Sequence, residues 1–213
     1  MLEQQKASGG SAILLSATLP EYQKQALSHA WQAKPVPEHD DYPLITSYTD
    51  TASVAFDLQS RPELRPEPIQ VDIELLSDER LLPDDNLLLR IEQAVISGAQ
   101  VCLICNLVDV AQYLFQVMQV RFEQNNSLNA DQLGLFHSRF SFHDRQNKEE
   151  LVVNIFGKDP GPSDARDKGH LLIATQVVEQ SLDLDFDWLI TQLCPVDLLF
   201  QRMGRLHRHE RPR

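Results

Sequence analysis

Apolar and polar positions follow two different periods along the last two thirds of this chain. Apolar runs of about four to eight residues, typical of strands, are separated by longer segments with an apolar residue every three to four positions, typical of amphipathic helices. The pattern predicts strands at residues 69–76, 101–105, 133–136, 171–174 and 188–191, and helices at residues 87–97, 108–122, 142–156 and 196–203. This alternation favours a parallel sheet covered by helices, so we predict one α/β domain over residues 69–213.

The first 68 residues carry a weaker pattern. Residues 12–31 predict one strand and one helix, with Pro20 placed to open the helix. Residues 33–68 contain six prolines among charged residues, interrupted by a weak strand at 44–48. One strand and one helix make a poor core, so this region is not predicted to fold as an independent domain.

Composition and apolar run lengths narrow the classes of protein to which the chain can belong. The chain has 213 residues, 42% of them apolar, and a formal net charge of −12. No apolar run approaches the roughly 18 residues that cross a bilayer. The N-terminus lacks the basic start and apolar core of a signal peptide. We therefore expect a cytoplasmic protein without a membrane partner.

The acidic balance limits how the chain can bind nucleic acid. Neutralisation of phosphates is the main sequence-independent contribution to such binding, and a net negative chain cannot supply it in bulk. Five arginines nevertheless lie in residues 201–213, opposed there only by Glu210. Any contact with nucleic acid is therefore expected to be local.

The cysteines and histidines do not predict a metal site. Cys102 and Cys105 are three residues apart in a predicted strand, where they point to opposite faces, and no second Cys or His pair has zinc spacing. We interpret both, together with Cys194, as reduced and structural. The dipeptides at 39–40 and 143–144 (His-Asp) lack further ligands, so no metal ligand is assigned.

Three short motifs occur in a specific order. They are SAT at residues 16–18, the segment ATQVVEQSLDLD at residues 174–185, and QRMGRLHR at residues 201–208. In that order they resemble motifs III, V and VI of superfamily 2 helicases. The closer resemblance is to the CRISPR-associated helicase–nuclease of type I interference systems, in particular its type I-E members. It runs from about Gly10 to the last residue and is sharpest from His170 onward.

The resemblance implies a fold and a domain organisation. The expected fold class is α/β, a RecA-like sheet of the P-loop NTPase type with flanking helices, forming the second motor domain of a helicase. Residues 1–31 would be the C-terminal remnant of the first RecA-like domain, residues 32–68 a proline-rich linker, and residues 69–213 the second domain.

Arginine chemistry makes motif VI the candidate catalytic segment. A guanidinium stays charged and carries five donors in a rigid fork, which suits the oxygens of a transferring phosphoryl group. By resemblance, Arg205 and Arg208 are arginine fingers and Gln201 lies near the γ-phosphate. Asp183 of motif V would support the nucleotide side, and Ser16 and Thr18 would couple nucleotide state to DNA binding.

Arg202 is left with two interpretations. It either contributes to nucleotide binding, as its place in motif VI suggests, or pairs with an acid such as Asp197 or Asp183.

The resemblance also implies a nucleic-acid-binding set. Hydroxyls and amides at strand ends suit phosphates without reading sequence. Thr175 matches the motif V residue that holds the DNA backbone, and Ser138 and Arg139 lie in a segment resembling one that contacts DNA after motif IV. Asn106, just past a predicted strand, is a further candidate. His137 is also included, although a buried or surface-capping role suits it as well.

Other parts of the family's machinery have no counterpart in these residues. The sequence contains no G-x-x-x-x-G-K-[ST] and no Asp-Glu-x-His box before residue 16. ATP and Mg²⁺ would thus be held mainly by the rest of the first domain, and the nuclease, with its divalent metal, would lie in a separate domain. We expect the isolated chain to be inactive and the intact protein to be an ATP-dependent DNA helicase and nuclease.

Expected partners are single-stranded DNA, a Cascade-like type I interference complex, and the N-terminal nuclease and first helicase domains. Two alternatives stay open from the residues alone. One is a superfamily 2 RNA helicase fragment, and the other is a non-catalytic docking or nucleic-acid-binding module.

Overall fold

The computed structural model describes residues 1–16, 19–34, 44–49, 52–56, 70–76, 82–158, 167–179 and 182–209. The chain divides into two compact units, Met1–Asp72 and Ile73–Arg213.

The first unit has little core of its own. It contains helices α1 (Leu2–Ala7) and α2 (Glu21–Ala30) and a hairpin of antiparallel strands β1 (Ile45–Tyr48) and β2 (Ser53–Phe56). Neither helix has a buried residue. The helix after Pro20 and the strand near 44–48 are therefore confirmed, while β2 was not predicted.

The predicted strand between residues 12 and 16 is wrong. These residues form neither helix nor strand, and the side chains of Ile13 and Leu15 are 87% and 93% exposed. A strand needs a neighbour for its main-chain hydrogen bonds and for its apolar face. No described strand pairs with this segment, so its apolar sequence has nothing to pack on.

The second unit is built around a four-stranded sheet. Its strands β3 to β6 are all parallel, and their spatial order is β4-β5-β3-β6. The elements in chain order are α3 (Asp85–Ile96), β3 (Gln100–Ile104), α4 (Val108–Gln124), β4 (Leu133–Phe136), α5 (Phe142–Phe156), β5 (His170–Ala174), β6 (Trp188–Thr191) and α6 (Val196–Met203), with short 3-10 helices at Ala130–Gln132 and Gln176–Glu179. This confirms the predicted α/β class with a parallel sheet and flanking helices.

Two helix starts show how the sequence fixes these boundaries. The side chain of Asp84 accepts a hydrogen bond from the backbone N–H of Leu87 (2.8 Å), and Ser141 does the same for Asp144 (3.3 Å). Each cap satisfies one of the N–H groups that a helix leaves without a partner in its first turn. Helix α3 is followed by Gly98, whose φ of 93° suits glycine.

Side chains alternate across the sheet and divide the core into two layers. Val101 and Leu103 of β3 pack with α3 and α4 on one face. Cys102 and Ile104 pack on the other face against α5 and residues 182–186. Both central strands are buried throughout, as expected when helices cover both faces of a parallel sheet.

The predicted strand at residues 69–76 does not form. Residues 70–76 have no regular structure, although Glu74 makes a bidentate ion pair with Arg90 of α3 (2.6 and 3.0 Å). Ile73 and Leu75 are 71% and 79% exposed. The alternation of apolar and polar residues was real, but no described strand offers this segment an edge.

Candidate functional site

The carboxyl ends of the four parallel strands bring several predicted site residues to one edge. Hydrogen bonds from Thr175 N–H to the Phe136 carbonyl (3.2 Å) and from Cys105 N–H to the Ala174 carbonyl (2.8 Å) extend the sheet by one residue at this edge. His137, Thr175, Asn106 and Gln192 therefore follow neighbouring strands. Open α/β sheets bind ligands outside this end of their strands.

The arginine-bearing segment is fixed to the second core layer by its main chain. Phe186 N–H donates to the Arg205 carbonyl (2.8 Å), and His207 N–H donates to the Phe186 carbonyl (3.1 Å). The N–H of Arg208 donates to the carboxylate of Asp185 (2.9 Å), which is fully buried. These bonds set the positions from which the side chains of Arg205 and Arg208 extend.

Arg202 is the buried arginine of the segment. Its side chain is 0% exposed, and its Nε donates to Glu179 Oε1 at 2.6 Å. Its Nη1 donates to the Thr191 hydroxyl and to the Gln192 carbonyl (3.3 Å), and its Nη2 lies 3.5 Å from Asn106 Oδ1.

The structure thus corrects the prediction for Arg202. Of the two interpretations, it favours the ion pair over nucleotide binding, because this guanidinium is enclosed by protein. The partner is Glu179, not Asp197 or Asp183.

Arg205 is half-buried and turned toward its own domain. Its Nη1 donates to the Leu182 carbonyl, and its Nη2 donates to the Glu179 carbonyl at 3.0 Å. Burial and the nearby charge of Arg208 lower the pKa of Arg205, although a guanidinium remains protonated. In this structure the Arg205 guanidinium is therefore bonded to main-chain carbonyls of its own domain.

Arg208 has the exposure that the finger prediction requires. Its Nε lies 2.7 Å from Asp183 Oδ1, and the two side chains are 43% and 51% exposed. His209 Nε2 lies 3.2 Å from the same carboxylate oxygen. Asp183 and Arg208 are thus brought together, whereas Gln201 is half-buried in the last turn of α6.

Two of the predicted nucleic-acid-binding residues are exposed at the sheet edge. Ser138 and Arg139 both lie at the surface after β4, and Arg139 forms an ion pair with Asp109 whose side chains are 58% and 75% exposed. Exposed pairs of this kind contribute about 0–1 kcal/mol. Arg139 is therefore available to a phosphate at little cost.

His137 is better described as a core residue than as a ligand for nucleic acid. It is 2% exposed, stacks on Phe140 with ring centroids 4.1 Å apart, and accepts a hydrogen bond at Nδ1 from the Arg139 N–H (3.3 Å). Burial lowers the pKa of His137, which disfavours its charged form. The buried interpretation left open by the sequence is the one that the structure supports.

Asn106 is hydrogen-bonded within the protein, and Thr175 is buried. Asn106 N–H donates to the Gln192 side chain (2.7 Å), and its amide Nδ2 donates to the Leu193 carbonyl (2.8 Å). Thr175 is 3% exposed. Both lie at the predicted edge, but neither presents an open side chain there.

Two predicted site residues come from motif III. Ser16 is exposed and belongs to the first unit, and Thr18 lies outside the described residues.

Sequence reasoning missed the residues that connect the two predicted sets. Glu179, Thr191, Gln192 and Gln176 bind Arg202 or Asn106. Glu179 and Gln176 were visible inside the motif V segment, while no local signal distinguishes Thr191 and Gln192.

The described residues contain no group of three or more His, Cys, Asp or Glu side chains arranged to hold a metal ion. No helix there has the length and apolar character needed to span a bilayer.

A parallel sheet covered by helices, with an arginine-rich segment bonded to the residues just before β6, defines a RecA-like helicase motor domain. The family described as CRISPR-associated nuclease/helicase Cas3, C-terminal, matches residues 97–211, and the chain belongs to it.

Known proteins extend this similarity over nearly the whole chain. The CRISPR-associated endonuclease/helicase Cas3 of Escherichia coli is 49% identical over 213 residues, covering 99% of this chain and 23% of the relative. The corresponding protein of Thermus thermophilus is 35% identical, covering 98% of this chain and 25% of the relative. The chain therefore spans about a quarter of the length of these curated relatives.

Solved structures show the same architecture. The crystal structure of T. fusca Cas3 matches with a TM-score of 0.81 and 29% identity, covering 98% of this chain and 24% of that one. T. fusca Cas3-ATP matches with a TM-score of 0.75, 29% identity and coverage of 98% and 25%. A CRISPR RNA-guided surveillance complex, pre-nicking, contains a chain that matches with a TM-score of 0.72 and 27% identity, covering 98% of this chain and 26% of that one.

Proposed function

We propose that this chain is the second motor domain of an ATP-dependent, single-stranded DNA translocase that degrades target DNA in type I CRISPR defence. In the intact protein, a first RecA-like domain binds ATP and Mg²⁺. The second domain then approaches with motif VI and completes the nucleotide site. A separate nuclease domain with its own divalent metal cleaves the DNA.

The observation that carries this proposal is the geometry of Arg208. Its guanidinium is 43% exposed and, among the described residues, is paired with the half-exposed carboxylate of Asp183. Exchanging such a pair for a phosphate oxygen costs about 0–1 kcal/mol, which is small against a charge-assisted contact with phosphate. Arg208 is therefore ready to act as an arginine finger once a nucleotide is presented to it.

Arg205 takes the second finger role by a different route. It gives up its contacts with the Glu179 and Leu182 carbonyls when the domains close. Hydrogen bonds from a charged group contribute about 1.5–3 kcal/mol each, a loss that stronger contacts with a charged phosphate replace. Gln201 and Asp183 support the same pocket, and Ser16 and Thr18 link the first domain to it.

The DNA-binding role rests on the carboxyl edge of the sheet. Ser138 and Arg139 contact the phosphate backbone directly, while Thr175 and Asn106 form the covered floor beneath it. The net charge of −12 means that this contact is local. We propose DNA and not the RNA of the alternative, because residues 170–209 resemble a helicase–nuclease that degrades target DNA.

The wider context follows from the similar structures. A Cas3-ATP structure supports ATP as the nucleotide, and the surveillance complex supports a Cascade-like partner. We place the activity in the cytoplasm, where that complex would meet invading DNA.

The test is to compare the intact protein with this 213-residue chain. We expect ATPase activity stimulated by single-stranded DNA from the intact protein, none from the chain alone, and partial recovery when the chain is mixed with the remaining domains. Robust ATP hydrolysis by the purified chain would contradict the proposal. Retained binding to the interference complex without any recovered ATPase would support a docking module instead.

A further inference from the structure

Two arginines of the same segment meet at a single residue, Glu179. Arg202 Nε binds the carboxylate of Glu179 at 2.6 Å, and Arg205 Nη2 binds its carbonyl oxygen at 3.0 Å. The position of Glu179 therefore determines the position of one hydrogen-bond acceptor of Arg205, the Glu179 carbonyl oxygen.

The other end of Arg202 reaches the strand ends. Its Nη1 donates to Thr191 at the end of β6 and to the next carbonyl, and its Nη2 lies 3.5 Å from the Asn106 side chain beyond β3. The Asn106 carbonyl accepts from Gln176 Nε2 (3.1 Å), next to Thr175 at the end of β5. The Arg202 guanidinium thus connects the ends of two strands, β3 and β6, with Glu179, and Asn106 extends this set of contacts to the residue after Thr175.

Neither member of the ion pair can contact a ligand directly. The side chains of Arg202 and Glu179 are 0% and 6% exposed. Removing one partner of a buried pair leaves an uncompensated charge, so the two side chains hold each other in place. The pair therefore forms a continuous set of contacts between the strand ends and the residue that binds Arg205.

We propose that the Glu179–Arg202 pair is a positioning pair, which couples binding of nucleic acid at the strand-end edge to the placement of Arg205 at the nucleotide. This inference rests on the proposed motor function and adds the residues that connect its two sites.

The experiment uses the intact protein with Glu179→Gln, which keeps the size of the side chain and removes its charge. The measured quantity is the stimulation ratio, kcat with saturating single-stranded DNA divided by kcat without DNA, together with KM for ATP and Kd for DNA. We expect the ratio to fall by about 5- to 100-fold, the usual range for coupling between two sites. KM and Kd are expected to stay within about threefold of the parent values, since the pair touches neither ligand.

This ratio separates coupling from a purely structural role. Partial unfolding lowers both rates in proportion to the active fraction and leaves their ratio unchanged. The matched control is Glu74→Gln, the same change in an exposed ion pair with Arg90 (2.6 Å), for which the ratio should not change.

A milder variant covers the case in which Glu179→Gln does not fold. Thr191→Val preserves side-chain shape and removes only the hydroxyl that accepts from Arg202. It should lower the ratio in the same direction, by at least about twofold. Where Glu179→Gln folds, the double variant should lower the stimulation ratio by less than the product of the two single-variant fold changes. This is expected because both substitutions act on the same set of contacts.

The outcomes separate the two levels of the proposal. If the parent shows DNA-stimulated ATPase and either variant keeps the parent ratio, the coupling role of the pair is refuted and the motor function stands. If the parent shows no stimulation by DNA, the motor function fails and this inference fails with it.

Discussion

The two arginines at positions 202 and 208 should differ sharply in their contribution to stability. Replacing Arg202 by Met leaves the Glu179 carboxylate, 6% exposed, without its partner. Breaking a buried pair in this way costs about 3–5 kcal/mol. Arg208→Met breaks a pair whose side chains are 43% and 51% exposed, which costs about 0–1 kcal/mol because solvent screens it.

Urea unfolding of this chain measures the difference. Trp188 lies in β6 of the second unit, the strand whose last residue, Thr191, binds Arg202, so its fluorescence reports on the relevant core. The other tryptophan, Trp31, belongs to the first unit and is replaced by Phe in all samples. With an m value of about 1–3 kcal/mol per molar, a loss of about 3 kcal/mol lowers the unfolding midpoint by about 1–3 M.

Two results would refute this reasoning. One is a free energy of unfolding for Arg202→Met within about 1 kcal/mol of the parent, which is the range expected for exposed pairs. The other is an equal loss for Arg208→Met. Arg202→Lys, which keeps the charge but cannot reproduce the forked contacts, should lie between parent and Met variant.

Two further predictions concern titratable groups. Burial lowers the pKa of His137 and of His170, so the folded chain resists the proton that an unfolded histidine takes up near pH 6.5. Their contribution to stability is thus complete above about pH 6.5 and is lost as the pH falls below it, and His170→Asn should flatten the urea midpoint between pH 5 and 7. Burial raises the pKa of Cys105 to about 12 and that of Cys102 further, so a thiol reagent at pH 8 should modify only half-exposed Cys194 until denaturant is added. Rapid reaction of all three thiols in the native chain would contradict the second prediction, and a pH-independent midpoint the first.

The elements that the sequence predicted well are those that pack within the described second unit. Helix α5 and strand β4 have the predicted bounds, because each carries its own signal: a serine cap before one and a short apolar run in the other. Strand β6 and helix α6 also have the bounds that the sequence predicted. In these cases the local pattern and the tertiary environment agree.

The two wrong strands share one physical cause. Residues 12–16 and 70–76 have apolar patterns suited to a sheet, yet no described strand lies beside them. A strand's pattern predicts the face that it can bury but not whether a neighbour is present. Under the proposed function, strands of a first motor domain would be the neighbours of the first segment.

The sequence identified residues of the site but not the contacts that they make. The motif positions were found from the sequence, and the predicted nucleic-acid-binding residues lie at one edge of the sheet. Which arginine is buried depends on Glu179, which is 23 residues away from Arg202 in sequence. The burial of His137 and the internal bonds of Asn106 likewise depend on long-range packing that local spacing does not encode.

The most direct test of the central claim is the DNA-stimulated ATPase of the intact protein carrying Arg208→Ala. Arg90→Ala is the matched control, since it also removes an exposed arginine from an ion pair, one with Glu74. We predict that Arg208→Ala lowers kcat by about 10³-fold or more, as loss of an arginine finger does, with DNA affinity and thermal stability near those of the control. A variant that retains more than about a tenth of the parent kcat would contradict the claim that Arg208 completes the nucleotide site.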